Sequence, residues 1–284
     1  MKSNKGRVVF GDFPYGYAES LTVAGLITIA GYVLQVIIPS GTAVPSFPAN
    51  AAIVISAICL IVYLQISAGN HPIILWLSSS SSAVSSCVAF VLQMIIMGLF
   101  IQDDQSAGGF FGNVTGSWPF ALTFIYLMLV LGLASAKRCR HFRLKNIPFI
   151  LNHIGLWIAL SAGAAGSGDF RETSINLREG ETRLVSHIEM RPLRKRFSIH
   201  LDSFASEIPA SEISIQLEDE KEIRRAKVKV NSPYSVNGLR IYQTGYSSDG
   251  LLSELKIVRD PWLPAVYVGI FMMLAGAAFA TLKL

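Results

Sequence analysis

Long apolar segments alternate with short polar connections along most of the chain. At about 1.5 Å of rise per residue, each segment is long enough to cross the hydrocarbon core of a bilayer as a helix. The predicted spans are 20–38, 51–67, 83–101, 119–136, 146–166 and 263–282. Between the second and third lies GNHPIILWLSSSSS, which we interpret as a short re-entrant or interfacial passage. The pattern predicts a polytopic helical membrane protein with six transmembrane helices.

A different pattern holds between the fifth and sixth spans. Five passages alternate apolar and polar residues with period two, as half-buried strands do. They read FSIHLDSF, SEISIQLE, RAKVKV, LRIYQTGY and SELKIV, and the tetrad SSDG between the last two is typical of a turn. No helical period of similar length is visible there. We therefore expect an external all-β domain, a sandwich or small barrel of about six to eight strands.

Composition and charge support this division. Hydrophobic residues make up 51% of the chain, charged residues 15%, and the mean hydropathy is +0.46. Residues 169–260 carry equal numbers of basic and acidic side chains, so the net charge of +5 belongs to the membrane part. Neither part shows the basic face with interleaved aromatic residues that nucleic-acid binding would need. We expect the lipid bilayer, and no nucleic acid, as a partner.

The basic residues of the membrane part predict its orientation. They occur near the N-terminus, in the loop 137–145 and at the C-terminus, whereas the loops after the first and third spans have none. By the positive-inside rule both termini are cytoplasmic and the β domain is periplasmic, in a bacterial inner membrane. The predicted domains are a membrane bundle (1–166), an extracytoplasmic β domain (167–260) and a C-terminal transmembrane helix (261–284). We expect the first span to be retained, since no small-residue cleavage site follows it.

The fifth span carries a histidine, His153, in its apolar interior. An ionisable residue within a span is a functional candidate by default. The alternative is a structural role, with the imidazole bonded to a carbonyl of a neighbouring helix or near the water-filled rim of the bundle. Helical spacing places Phe149, Leu156 and Trp157 on its face. Small residues follow in the outer half, where another helix or a flat ligand could approach closely; they include Ser161, Gly163 and Gly166.

Passages in and after this span resemble the ResB/CcsB family of cytochrome c biogenesis, System II. The first is ILNHIGLWIALSAGAAGSGDFRETSINLREGE, a histidine-bearing helix followed by a strand that ends on R-E-G-E. RFSIHLDSFASEI and VNSPYSVNGLRIYQTGY are similar to two strand passages of the family, although Arg196 stands where the family has a small residue or proline. RDPWLPAVYVGIFMMLAG resembles its return helix. The resemblance covers residues 71–284, and the first two spans have no counterpart in the minimal family pattern.

The resemblance implies a membrane subunit that, with a CcsA-type partner, binds and exports haem b and supports its attachment to apocytochrome c. In the family, the histidine of this span is an axial ligand of the haem iron, and the resemblance implies the same role for His153. Neutral imidazole is a good iron ligand. Trp157 and Gly163 are further candidate haem contacts, with packing between spans as the alternative for Trp157. Such a chain would be a non-catalytic or co-catalytic subunit of a holocytochrome c synthase, so whether it is itself an enzyme stays open.

The remaining residue types suggest less. His71, beside Pro72, and the basic loop 137–145 are open as further haem contacts, whereas we expect His141 to be solvated and His187 and His200 to lie at the surface or in packing. There is no CxxC pair, Ser-His-Asp order or P-loop. The alternative function is a non-enzymatic sensor or scaffold that displays the β domain. A transporter is weaker because there is no internal repeat.

Overall fold

The computed structural model describes residues 15–100, 102, 111–185, 197–205, 210–217, 223–247 and 251–282. Two compact units make up the chain. One contains Met1–Ala165 and Pro264–Leu284, and the other is Gly166–Leu263. His187 and most of the SSDG passage lie outside the described residues, so the predictions for them are not addressed by the structure.

Six helices are long and apolar enough to cross a membrane in the part of the chain that the structure describes, which confirms the predicted number. They are α1 (Tyr17–Ile37), α2 (Ala49–Ser67), α4 (Ser80–Leu99), α5 (Trp118–Arg140), α6 (Ile147–Ser167) and α7 (Leu263–Thr281). The passage interpreted as re-entrant or interfacial contains a six-residue helix, α3 (Pro72–Leu77).

The largest difference from the predicted spans is at the end of α5, which runs on through Lys137 and Arg138 to Arg140. Lysine and arginine are good helix formers, and their charge is favourable at a helix C-terminus, so the basic segment extends the helix before the loop begins. The guanidinium of Arg140 also donates a 2.8 Å hydrogen bond to the carbonyl of Gln65, in the last turn of α2. This bond satisfies one of the carbonyls that a helix end leaves without a partner.

Helix α5 lies at the centre of the first unit and packs against α1, α2 and α4. Buried polar side chains hold these helices together. The indole of Trp76 in α3 donates to the hydroxyl of Ser20 in α1 at 2.9 Å, and Ser85 in α4 bonds the phenol of Tyr126 in α5 at 3.1 Å. Such bonds are favoured inside a membrane because lipid offers no alternative partner.

Helices α6 and α7 approach each other through glycines. A Cβ atom at Gly155 would lie 2.6 Å from the carbonyl oxygen of Gly269, and one at Gly276 would lie 2.8 Å from the amide nitrogen of Asn152. Close backbone contact of this kind requires residues without a side chain. A Cβ at Gly163, in contrast, would meet nothing within 4 Å. The close helix contact therefore uses Gly155, in the half of α6 that contains His153.

The second unit is an antiparallel β-sandwich. Its strands are β1 (Arg171–Arg178), β2 (Thr182–Val185), β3 (Phe197–Ala205), β4 (Ala210–Leu217), β5 (Ile223–Lys229), β6 (Tyr234–Val236), β7 (Leu239–Tyr246) and β8 (Leu252–Arg259). They form two four-stranded sheets in the orders β1-β8-β7-β6 and β2-β3-β4-β5. Since the described strands form no closed barrel, the sandwich is confirmed as the form of the predicted all-β domain.

Alternation of side chains explains the core of this unit. Ile213 and Ile215 of β4 are buried beside Ile199 of β3, and they face Ile241 and Leu255 of the other sheet in one apolar cluster. The outer face of β5 carries Arg225, Lys227 and Lys229, all exposed, as RAKVKV predicted.

One buried polar cluster joins the two sheets. Gln243 of β7 accepts hydrogen bonds from Ser211 of β4 and from Ser253 of β8, and the two hydroxyl oxygens are 2.7 Å apart. The amide nitrogen of Gln243 donates to the carbonyl of Gly245 at 2.6 Å, next to a break in the β7–β8 register. All three side chains are buried, so the cluster replaces apolar contact with hydrogen bonds between the sheets.

The two ends of the second unit lie side by side. Strands β1 and β8 pair along their whole length, from Arg171 opposite Arg259 to Arg178 opposite Leu252. Beyond this ladder, the indole of Trp262 donates a 2.8 Å hydrogen bond to the buried carboxylate of Asp169. The chain therefore enters and leaves the sandwich at one place.

Candidate functional site

His153 is the seventh residue of α6, and its side chain is half-buried. The ring nitrogen Nδ1 lies 2.9 Å from the carbonyl oxygen of Phe149, one helical turn earlier. That oxygen already belongs to the helix ladder, but a carbonyl has two lone pairs and can accept a second hydrogen bond. The helix therefore supplies the partner for one of the two ring nitrogens.

This bond determines which nitrogen of the neutral ring carries the proton. A carbonyl oxygen can only accept, so Nδ1 must be the donor, and Nε2 then holds an unshared electron pair. No hydrogen bond of Nε2 occurs among the described residues. An Nδ1–H bond to a backbone carbonyl with Nε2 left for the metal is the usual arrangement of metal-ligating histidines.

The imidazole is also fixed by stacking. The rings of Phe149 and His153 lie 3.6 Å apart between centroids, with an angle of 19° between their planes. The guanidinium carbon of Arg138, in the last turn of α5, lies 5.0 Å from the centre of the same Phe149 ring. We call these three side chains the Arg138–Phe149–His153 stack. It joins a cation at the end of one helix to an imidazole inside the next.

Trp157 is buried between α5 and α6. Its indole nitrogen donates to the carbonyl of Met128 at 3.1 Å, and the side chain belongs to an apolar cluster with Leu131 and Ile61. A Cβ at Gly132 would lie 3.2 Å from that indole nitrogen, so a glycine of α5 makes room for the ring. These contacts give Trp157 a packing role; its contact with haem stays a prediction.

Gly163 is exposed, with open space where a side chain would be. It follows His153 by ten residues, so the rise of the helix places the two at depths about 15 Å apart and on different faces. The structure therefore does not bring Gly163 and the imidazole together. A ligand contact at Gly163 stays a prediction of its own.

The other described histidines are arranged differently. His71 is the N-cap of α3, and its Nδ1 accepts a 3.3 Å hydrogen bond from the amide of Ile73, so in the neutral ring Nε2 carries the proton. His141 is exposed at the end of α5, as expected. His200 lies on the outer face of β3, 2.8 Å from the hydroxyl of Thr182. Of these residues, His153 has the ring nitrogen best prepared for a metal.

A single imidazole suits a haem better than a bare metal ion. The described residues contain no group of three or more His, Cys, Asp or Glu side chains that could hold a metal. Haem iron takes its equatorial ligands from the macrocycle and needs only axial ligands from protein. Nε2 of His153, in an apolar helix, fits such a ligand. The sequence indicated that Phe149 shares the face of His153, but the contribution of Arg138 depends on helix packing that no spacing predicts.

These features define a multi-pass membrane protein with a β-sandwich domain and, in its fifth span, a histidine whose Nε2 carries no proton. Residues 132–256 match the model of the ResB-like family. The match runs from within α5 to within β8, so it includes His153 and confirms the predicted resemblance over this range. It supports a role in cytochrome c biogenesis.

One solved structure, described as "Cytochrome c Heme Lyase CcmF", matches with a TM-score of 0.39 and 15% sequence identity. The match covers 94% of this chain and 46% of that one, so the chain spans less than half the length of that protein. No curated protein matches the chain.

Proposed function

We propose that this chain is the ResB-like subunit of a System II cytochrome c maturation complex, in which His153 supplies one axial ligand to haem b in transit across the membrane. The observation that carries the proposal is the Nδ1–H bond to the carbonyl of Phe149, which leaves Nε2 unprotonated and without a partner among the described residues. The ResB-like match supports it because His153 lies within the matched residues.

A partner is part of this proposal. One imidazole cannot hold haem strongly by itself, and the described residues contain no group of three or more His, Cys, Asp or Glu side chains that could hold a metal. The second axial ligand would come from a CcsA-type membrane protein, as the family resemblance implies. Joining the macrocycle to the thiols of apocytochrome c would then take place mainly on that partner, with this chain as a non-catalytic or co-catalytic subunit.

The proposed orientation follows from charge. With both termini in the cytoplasm, the basic residues 137–145 face the cytoplasm and His153 lies about 10 Å into the membrane from that side. Haem made in the cytoplasm would meet His153 first. The β-sandwich would lie in the periplasm, on the side where apocytochrome c is matured.

Co-expression with a CcsA-type partner tests the proposal. We expect the purified pair to carry haem with the spectrum of a six-coordinate iron, and the variant His153→Ala to lose most of it. His141→Ala is the matched control, since it removes an exposed imidazole from the end of α5. If His153→Ala kept its haem content and matured cytochrome c normally, the ligand would be elsewhere. Normal maturation without the gene would favour the sensor or scaffold.

A further inference from the structure

The guanidinium of Arg138 is exposed and has no carboxylate partner among the described residues, although it lies over the Phe149 ring at 5.0 Å. Its neighbour Arg140 is placed differently, since that side chain donates to the carbonyl of Gln65 at 2.8 Å. The two arginines of one helical turn therefore differ in what they can bind. Arg140 is occupied by α2, whereas Arg138 is fixed by an aromatic ring and still has donors to offer.

The arrangement places a permanent positive charge beside the candidate ligand. Arginine stays protonated at any physiological pH, and its planar fork matches the two oxygens of a carboxylate. A cation–π contact with an aromatic ring uses none of the five N–H donors of the guanidinium. The ring that carries Arg138 is the one stacked on His153 at 3.6 Å, so a molecule bound at Nε2 would have this cation close by.

We infer that Arg138 binds an ionised propionate of the haem that His153 ligates, and that Arg138 thereby selects a tetrapyrrole with free carboxylates. This inference rests on the proposed function of His153. In it, Phe149 is a positioning residue. Its carbonyl fixes the proton of the imidazole, and its ring holds the imidazole and the guanidinium in one stack.

The experiment compares two ligands that differ only in the carboxylates. The purified pair with its CcsA-type partner, in lipid nanodiscs and freed of haem, is titrated with haem b and with haem dimethyl ester, whose propionates are uncharged. We expect Arg138→Gln to weaken the binding of haem b about tenfold, as the loss of a charge-assisted hydrogen bond would, and to leave the dimethyl ester unaffected. Arg138→Lys keeps the charge but not the planar fork, so its affinity for haem b should lie between those of the wild type and Arg138→Gln. The control is Arg143→Gln, which removes an equal charge from an exposed position just after α5.

The outcomes separate the two proposals. If Arg138→Gln weakened the binding of both ligands equally, Arg138 would only support the fold. If it weakened the binding of neither, Arg138 would not contact the haem. Each result overturns the inference. In both cases the absorption bands of the bound iron should still depend on His153. If His153→Ala left the spectrum and the affinity for both ligands unchanged, the proposed function itself would fail, whatever Arg138 did.

Discussion

His71 and His153 use the same ring nitrogen in opposite ways. In His71, Nδ1 accepts from the amide of Ile73, and in His153 it donates to the carbonyl of Phe149. The first arrangement begins a helix, while the second leaves Nε2 without a proton, as the proposed iron ligand requires. The sequence gives both histidines an apolar neighbourhood, so their difference depends on backbone geometry and could not be predicted from spacing.

Replacement of His71 should therefore affect only local structure. We expect His71→Ala to weaken α3 by about 0.5–1 kcal/mol, the low end for a lost N-cap, because the bond is long and exposed. Haem content of the purified pair should stay at the wild-type level, as measured by the pyridine haemochrome assay. A loss as large as that in His153→Ala would place His71 at the haem site.

Gln243 should matter for stability although it lies far from the candidate ligand in sequence. Gln243→Ala removes the acceptor that Ser211 and Ser253 share, so only one of the two buried hydroxyls can still donate, to the other, and the loss should cost about 1–3 kcal/mol of unfolding free energy. Pulse proteolysis of the full-length protein in urea measures this loss. Gln216→Ala, an exposed change on β4, is the control and should have little effect. Equal stability of the two variants would contradict this role of the cluster.

At the scale of elements, hydrophobic runs predict spans well because a bilayer requires long apolar helices. The predicted ends differ from those of the helices by up to four residues, most at Arg140, where basic residues continue the helix. Strand β1 was expected only from the family resemblance. The other strands of seven to nine residues, β3, β4, β5, β7 and β8, were visible from their alternation. The short strands β2 and β6 were not, since three or four residues are too few to show a period.

The glycine contact between α6 and α7 gives a prediction at this scale. A side chain at Gly269 would meet the carbonyl of Gly155 at 2.5 Å and the amide of Ala159 at 2.7 Å. We expect Gly269→Val to separate the helices and to lower the free energy of unfolding by about 1–3 kcal/mol. Gly25→Val in α1, where nothing lies within 4 Å, is the matched control. Unfolding in detergent should distinguish them, and similar curves would refute the close contact.

For the whole molecule, the orientation proposed from the distribution of charge can be tested by labelling cysteines from one side of the membrane. Cys139 lies exposed near the end of α5, in the basic segment, and Glu179 is exposed in the turn after β1. In a chain with Cys59 and Cys87 changed to Ser, a membrane-impermeant maleimide should label Glu179→Cys in spheroplasts. It should label Cys139 only after permeabilisation. The reverse pattern would invert the proposed orientation and place His153 nearer the opposite face.

The visible spectrum of the pair co-purified with a CcsA-type partner tests the central claim most directly. Wild type should show the bands of a low-spin haem with two axial ligands. His153→Ala should lose most of the haem, and imidazole added during growth and purification should restore it by replacing the missing ring. An unchanged spectrum in His153→Ala, with the same haem content and no response to imidazole, would contradict the assignment of His153 as an iron ligand.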